Sequence, residues 1–444
     1  VSPARPRAAG VRDARGPRRE RPAGPRDVAL AALERVDGGA YANLALPPLL
    51  GRSGLGPGDR AAVTDLVYGS LRLRGALDAA LAPLSRQPLE RLEPLVLRGL
   101  RLGAYELLFG GTAAHAAVAE TVGAVARAGR RGQAGYVNAV LRRLAAAPPS
   151  WPDPDRDPTG WATTRGSHPA WVVQEALARL GPRELLDLVE ADNTRPQVSL
   201  RATPGRGGRE ELLAELTAAG VAARPSPLSP DCMTLERGDP ADLAAVREGR
   251  AVVQDAASAL VAPAVAAAPG DLVVDLAAGP GGKAGHLAAL GARVLAVERQ
   301  PGRARLVADT ARRLGVAGRL HTVVGDGRRP PLRPGAADAA LVDAPCSNLG
   351  SLRRRPEARW RHGPDEVAGL VELQLDLLAA AADAVRPGGS VLYSVCTWTR
   401  AETDGVVATL LERRRDLRLE WARQLWPHRD GADGMFLARL FKVR

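Results

Sequence analysis

DLVVDLAAGPGGKAGHLAAL, residues 271–290, decides the fold. A short apolar run ends in Asp275, passes into a glycine loop and opens a helix. The run is continuous rather than alternating, as expected of a strand buried on both faces. Working outward, similar runs recur at RVLAVE (293–298), RLHTVV (319–324), DAALVD (338–343) and SVLYSV (390–395), with helical stretches between most of them. GMFLARLFK (434–442) alternates enough to add a final strand. Apolar strands alternating with helices predict a parallel sheet covered on both faces, a Rossmann-like α/β domain over 251–444.

Such sheets bind ligands at the carboxyl ends of their strands. Ala277, Ala278, Gly279, Pro280, Gly281, Gly282 and Lys283 form the loop after the first strand. Its glycines let the backbone approach a ligand, and the following helix start favours an acceptor-rich or anionic group. Glu298 ends the next strand and is placed to accept hydrogen bonds from two ribose hydroxyls. Asp326, after the third, could bind an exocyclic amine. A nicotinamide dinucleotide is possible, because Gly279 to Ala284 satisfies GxGxxA with an acid about 20 residues on. A phosphate-binding P-loop fits poorly, since Ala277 and Ala284 replace its first glycine and its Ser/Thr. S-adenosylmethionine fits best: acids end three successive strands and no phosphate needs a clamp. A tight turn that holds nothing is the bland alternative.

The chain has three cysteines, and two of them, Cys346 and Cys396, lie just past strand ends. If those strands are neighbours, ~4.8 Å apart, both thiols face one crevice. A free cysteine is often only a small core residue. Two on facing loops, with Asp343 and Lys283 close by, point instead to covalent chemistry on an electron-poor ring. Thiolate addition at C6 of a cytosine makes C5 carbanion-like and able to accept a methyl group. This requires a low-pKa thiol, an acid at N3 and a group that assists release. Asp343 suits the acid role, and Lys283 could orient it and favour the thiolate. The base must leave its helix, and Trp360 and Trp398 could stack on it.

The remaining segments are of other kinds. Residues 1–25 hold almost no large apolar side chains and read as a disordered basic tail. Residues 26–147 carry three- and four-residue apolar spacings throughout and predict an all-helical domain, with Asp59 placed as an N-cap. Residues 148–166 are a proline-rich linker, and 167–250 mix helices and strands as a small α+β module.

The length of 444 residues suits about three domains. The net charge of +12 suggests a polyanionic partner such as RNA. Only two of the 61 Lys and Arg residues are lysine, Lys283 and Lys442, so a lysine in the middle of the glycine loop is informative. Few cysteines and no CxxC argue for a reducing cytoplasm and against zinc or any other metal site. No apolar run reaches the ~20 residues of a membrane helix.

Several stretches carry a family resemblance. DLAAGPGGKA (275–284), DAPCSNLGSLRRRPEARW (343–360), YSVCT (393–397) and LWPHRDGADGMFLARL (425–440), with VVQDAAS (252–258) ahead of them, resemble successive motifs of the RsmB/Sun family of RNA cytosine methyltransferases. HPAW, ADNTRP and LRA between 168 and 202 resemble its linker module. DLVYGSLR (65–72), LRLGAYELLF (100–109), AVAE (117–120) and GYVNAVLRR (135–143) resemble NusB-like RNA-binding domains.

The resemblance implies a monomeric, S-adenosylmethionine-dependent enzyme forming 5-methylcytosine in 16S ribosomal RNA or a small-subunit assembly intermediate. It makes Cys396 the nucleophile and Cys346 the residue that assists release. Glu298, Asp326 and Asp343 would hold the cofactor, with Arg303 nearby. There are departures: Ala277-Ala278-Gly279 replace a Cys-Ala-Ala pattern, Ala284 a Thr, Asn348 a Gly and Ala401 a Glu, though Glu402 remains. Two rival readings are a non-catalytic NusB-like RNA-binding factor and a nicotinamide-dependent oxidoreductase. The second leaves the paired cysteines and the RRRPEARW run without a role.

Overall fold

The computed structural model describes residues 24–443. The expected tail therefore lies outside the described residues, except for Gly24 and Pro25, which open the first helix. Helices Pro25–Asp37, Ala42–Arg52, Pro57–Arg72, Arg74–Leu81, Pro94–Leu108, Ala114–Val125 and Arg131–Ala146 enclose one apolar core. The spacing seen in the sequence accounts for it. Val63, Leu66, Val67 and Leu71 share one buried helical stripe. Gly69 lies on that helix because a Cβ there would fall 2.0 Å from the Tyr105 ring. Asp59 is not the cap. The helix starts two residues earlier at Pro57, behind Gly56, and Asp59 sits in the first turn, where its charge suits the helix dipole.

The proline-rich segment has structure of its own. Asp157 accepts a hydrogen bond from Gly160 N–H (2.7 Å) and starts a helix at Pro158–Thr163. Ala162 from that helix packs with Val172, Leu185 and Leu188. The long helix Ala170–Asn193 breaks at Gly181 (φ 77°), just before Pro182, so two helical pieces form as expected. The small antiparallel sheet contains β1 (Val198–Ala202), β2 (Ala223–Pro225), β3 (Cys232–Leu235) and β4 (Ala251–Val253), in the order β2-β3-β1-β4.

The C-terminal sheet contains β5 (Leu272–Asp275), β6 (Arg293–Glu298), β7 (Leu320–Val324), β8 (Ala337–Asp343), β9 (Val385–Val395), β10 (Leu417–Leu425) and β11 (Met435–Lys442). Its order is β10-β11-β9-β8-β5-β6-β7. β7, β6, β5, β8 and β9 run parallel, and β11 is antiparallel to both β9 and β10. A dinucleotide-binding sheet runs 3-2-1-4-5-6 without a reversed strand. The reversed β11 inserted beside β9 therefore speaks against the oxidoreductase reading. Helices Gly282–Ala289, Pro301–Arg313 and Pro364–Ala384 cover the sheet, and apolar clusters fill the space on its faces. None of the described helices is long and apolar enough to cross a membrane.

Candidate active site

β8 and β9 are neighbours in parallel register, with Asp343 opposite Ser394. The chain leaves both strands at the same edge of the sheet. Cys346 and Cys396 follow three and two residues later, and their sulfurs lie 3.4 Å apart. Cys346 is 5% exposed, whereas Cys396 is partly exposed. Asp343 Oδ1 accepts a hydrogen bond from the Ser394 hydroxyl (2.9 Å), and its Oδ2 accepts one from Lys283 Nζ (2.5 Å). The four expected catalytic side chains thus form one cluster, reached from β5, β8 and β9.

The two thiols are not equivalent. Donation from the Cys346 thiol pulls Cys396 below the ordinary thiol range; Lys283 and Arg355 add to this, while burial and Asp343 oppose it. Cys346 moves the other way. Its hydrogen bond to Cys396, its burial and the nearby Glu402 all hold the proton on it. Burial alone would lower the Lys283 ammonium, but Asp343 outweighs that and raises it.

Asn348 adopts the left-handed conformation (φ 61°) that Asn tolerates better than most residues. Its amide fills the gap between the loops: Nδ2 donates to the Cys346 carbonyl (2.7 Å), and Oδ1 lies 3.3 Å from Cys396 Sγ. Reversing the amide would set oxygen against the Cys346 carbonyl, so that contact fixes its orientation.

The glycine loop turns as its sequence requires. Gly279 and Gly281 have φ values of 58° and 88°, and a Cβ on Gly281 would fall 2.9 Å from Val307. Ala278 N–H pairs with Val297 O (3.1 Å), and Pro280 O accepts from Thr310 (3.0 Å). The loop thus runs from Ala277 to Gly282 at the end of β5, and Lys283 points from its helix to Asp343. Ala284 is fully buried. Glu298 is buried and accepts hydrogen bonds from Gly279 N–H (3.0 Å) and Gln300 N–H (2.9 Å). Arg303 lies 3.8 Å from it. Asp326 follows Gly325, whose N–H pairs with Glu298 O (3.1 Å), but its side chain turns to another partner. Its carboxylate is gripped by Arg328 at 2.7 Å, which lowers its pKa to about 2.

Two features were not assigned a role of their own from the sequence. Asp275 is 1% exposed, and its Oδ2 has no hydrogen-bond partner. Burial, aided by Asp343, raises its pKa to about 7. An acid ending the first strand was the available signal. The second feature is Glu402, fully buried and bonded to both cysteine loops. No local pattern marks it.

The expectation that the tryptophans stack on a base is corrected, and the arginine run orders the fold. Trp398 is fully buried, stacks on Trp426 at 5.9 Å and donates to Leu349 O (3.1 Å), so it offers no face to a base. Trp360 packs against Gly75 of the helical domain, beneath Arg74. Arg354 pairs with Asp255 and Asp433, and Arg359 is buried against Ser167 O (2.9 Å) and Asn193 Oδ1 (3.0 Å). Glu357 accepts from Ala42 N–H (2.9 Å). The run joins the three parts of the chain rather than facing solvent as an RNA patch.

Comparison with known proteins agrees with this architecture. The family described as 16S rRNA methyltransferase RsmB/F matches residues 262–441. The NusB family matches 23–146, and a ferredoxin-like domain of RsmF/B-like methyltransferases matches 168–242. Ribosomal RNA small subunit methyltransferase B of Sodalis glossinidius is 33% identical over 94% of this chain and 96% of its own. The chain belongs to the RsmB/F methyltransferase family. A Mycobacterium tuberculosis protein with a provisional methyltransferase name is 44% identical to this RsmB/F member, over 97% of this chain and 99% of its own. One crystal structure matches 94% of this chain and 99% of its own with a TM-score of 0.83 at 24% identity, a likeness of fold. NSun6 from Pyrococcus horikoshii, solved with SFG, matches 62% of this chain and 98% of its own (TM-score 0.56, 20% identity).

Proposed function

We propose that this RsmB/F methyltransferase transfers a methyl group from S-adenosylmethionine to C5 of a cytosine in 16S ribosomal RNA, through a covalent bond between Cys396 and C6. The observation that carries the reading is the pair of unequal thiols, 3.4 Å apart, beside the Asp343–Lys283 ion pair. A packing cysteine needs no second thiol and no ammonium–carboxylate pair next to it. A non-catalytic RNA-binding factor has no use for either.

The site fits the cofactor. Gly279 and Gly281 turn the loop at positive φ past the end of β5, and Glu298 is buried where ribose hydroxyls would meet it. The unpartnered Asp275 Oδ2 is an acceptor in want of a donor. Residues 277–283, Asp275, Glu298 and Arg303 would hold the cofactor, and Asp326 would join them by releasing Arg328. When bound, the cofactor supplies an electrophilic methyl group on a sulfonium.

The chain's own groups do the rest. Cys396, as thiolate, adds to C6, and the ring electrons move toward N3. Asp343, next to the Lys283 ammonium, places a proton at N3 and so supports negative charge there. The proton is the one that Asp343 and Lys283 share across their hydrogen bond. C5 becomes nucleophilic and takes the methyl group. Loss of the C5 proton to a water molecule then restores the double bond as the C6–sulfur bond breaks, N3 returns its proton to the Asp343–Lys283 pair, and the Cys346 thiol donates a hydrogen bond to the departing Cys396 thiolate.

The substrate strand must be single or locally opened for a base to reach the pair. A cavity of about 360 Å³ between the small module and the catalytic domain is lined by Arg195 and Arg224 beside the clamped Arg353 and Arg354 with Asp255, and we read Arg195 and Arg224 as contacts that track the backbone. The test uses the protein, methyl-labelled S-adenosylmethionine and unmodified 16S RNA, free or in particles. Digestion should return the label as 5-methylcytidine. Label on another base, or none in any assembly state, overturns the proposal.

A further inference from the structure

Two identical thiols in contact can share one proton either way, so something must make them unequal. Lys283 and Arg355 stand on the Cys396 side. Glu402, on the other side, is built into the structure more firmly than either. It is fully buried, in the turn that follows β9. Its Oε1 accepts from Ser347 N–H (2.8 Å) and Gln374 Nε2 (3.2 Å). Its Oε2 accepts from the hydroxyls of Ser347 (2.5 Å) and Thr399 (2.9 Å), with that of Thr397 at 3.4 Å. Ser347 follows Cys346, and Thr397 follows Cys396. Gln374 also donates to Pro345 O (2.9 Å), just before Cys346, and Tyr393 donates to Glu402 O (2.7 Å). Both cysteine loops therefore hang from one carboxylate.

We propose that Glu402 is the positioning residue of this site: its carboxylate ties the two cysteine loops together and keeps the proton on Cys346, leaving Cys396 free to act as the thiolate. The inference rests on the proposed reaction for its meaning, but its readout needs neither RNA nor cofactor. A buried anion disfavours a second anion beside it, and the sulfur adjoining Ser347 feels this most. Such a network also explains why a buried carboxylate is kept here. With every acceptor position used, its charge is spread over donors from three segments.

The chain's three cysteines make the test direct. Carbon-13 placed at cysteine Cβ gives a resonance for each thiol, and each can be titrated in the intact protein. The groups facing Cys346 are Cys396, Glu402, Tyr393 and Asn348; those facing Cys396 are Cys346, Asp343, Lys283, Arg355 and Asn348. In the native protein Cys396 should titrate first. In Glu402→Gln, which keeps the size and loses the charge, the Cys346 transition should move down toward that of Cys396 by about half a pH unit or more. Glu402→Asp retains the charge one methylene further back and should move it less, in the same direction. It replaces Gln if that variant does not fold. A merely structural Glu402 would lower the melting temperature and leave the titrations alone. An unmoved Cys346 transition in a folded variant, or Cys346 titrating before Cys396 in the native protein, overturns the proposal.

Discussion

The loop from Asp343 to Trp360 has two halves that use charge in opposite ways. From Asp343 to Asn348, polar groups stand beside reactive ones and keep capacity free. Asp343 faces Lys283 at a partly exposed edge, and Cys396 stays reachable. From Leu352 to Trp360, polar groups are spent on holding the molecule together. Arg354 is committed to Asp255 and Asp433, and Arg359 is sealed among carbonyls of other domains. On the proposed reading the first half acts on a ligand, and the second fixes where the first half stands. A run of arginines is thus a poor sign of RNA contact when buried acids and carbonyls elsewhere in the chain can receive it.

Substitutions can break this contrast, beginning with the largest expected effect. Asp343→Asn keeps the shape but cannot share a proton with Lys283. It should cost about 10²- to 10⁴-fold in single-turnover methyl transfer, with little change in melting temperature. A large loss of stability instead would place Asp343 with the clamping half. Arg359→Ala should do the reverse. It opens a cavity and strands the Ser167 carbonyl and the Asn193 side chain, so it should cost about 2–4 kcal/mol in denaturant unfolding. Single-turnover rates of the folded fraction should stay near native. If they fall as far as with Asp343→Asn, the halves are not separable.

Asp275 sharpens the same division with pH. Its folded pKa, about 7, lies above that of an unfolded Asp. The folded state therefore binds this proton more tightly than the unfolded one. Its stabilising effect is complete below about pH 4 and is lost as pH rises to about 7. Asp275→Asn should accordingly raise stability at pH 8 by about 1–4 kcal/mol relative to the native protein, with no comparable gain at pH 4, while weakening S-adenosylmethionine binding. Thermal melts at the two pH values and a titration with the cofactor check both. Equal gains at both pH values would remove burial of the charge as the cause. The smallest effect belongs to Asn348→Gly. Removing the acceptor next to Cys396 should speed alkylation of that cysteine at pH 7 by about two- to five-fold. A slower reaction would mean that the amide favours the thiolate.

The same contrast separates what the sequence discloses from what it hides. The parallel strands were legible because burial on both faces leaves continuous apolar runs. β10 escaped because LRLEWARQL is largely exposed between its buried ends and pairs through β11 at the sheet edge. The thiols, Asp343 and Lys283 were legible because rare residue types stood at strand ends. Glu402 was not, since its partners Ser347 and Gln374 lie 55 and 28 residues away in an otherwise ordinary Ser/Thr-rich setting. The partners of the arginine run were hidden for a related reason. Asp255 and Asp433 are 99 and 79 residues from Arg354, and only folding brings them together. Trp398 went to the core because its indole N–H found the Leu349 carbonyl inside.

The division of labour between the thiols is the central claim, and adduct trapping tests it most directly. Native protein, Cys396→Ala and Cys346→Ala would each be incubated with S-adenosylmethionine and unmodified 16S RNA, denatured, and resolved for protein-bound RNA. The account predicts no adduct with Cys396→Ala and a denaturation-resistant adduct that accumulates with Cys346→Ala, because the departing thiolate lacks its hydrogen-bond donor. An adduct that forms with Cys396→Ala and is missing from Cys346→Ala would contradict it.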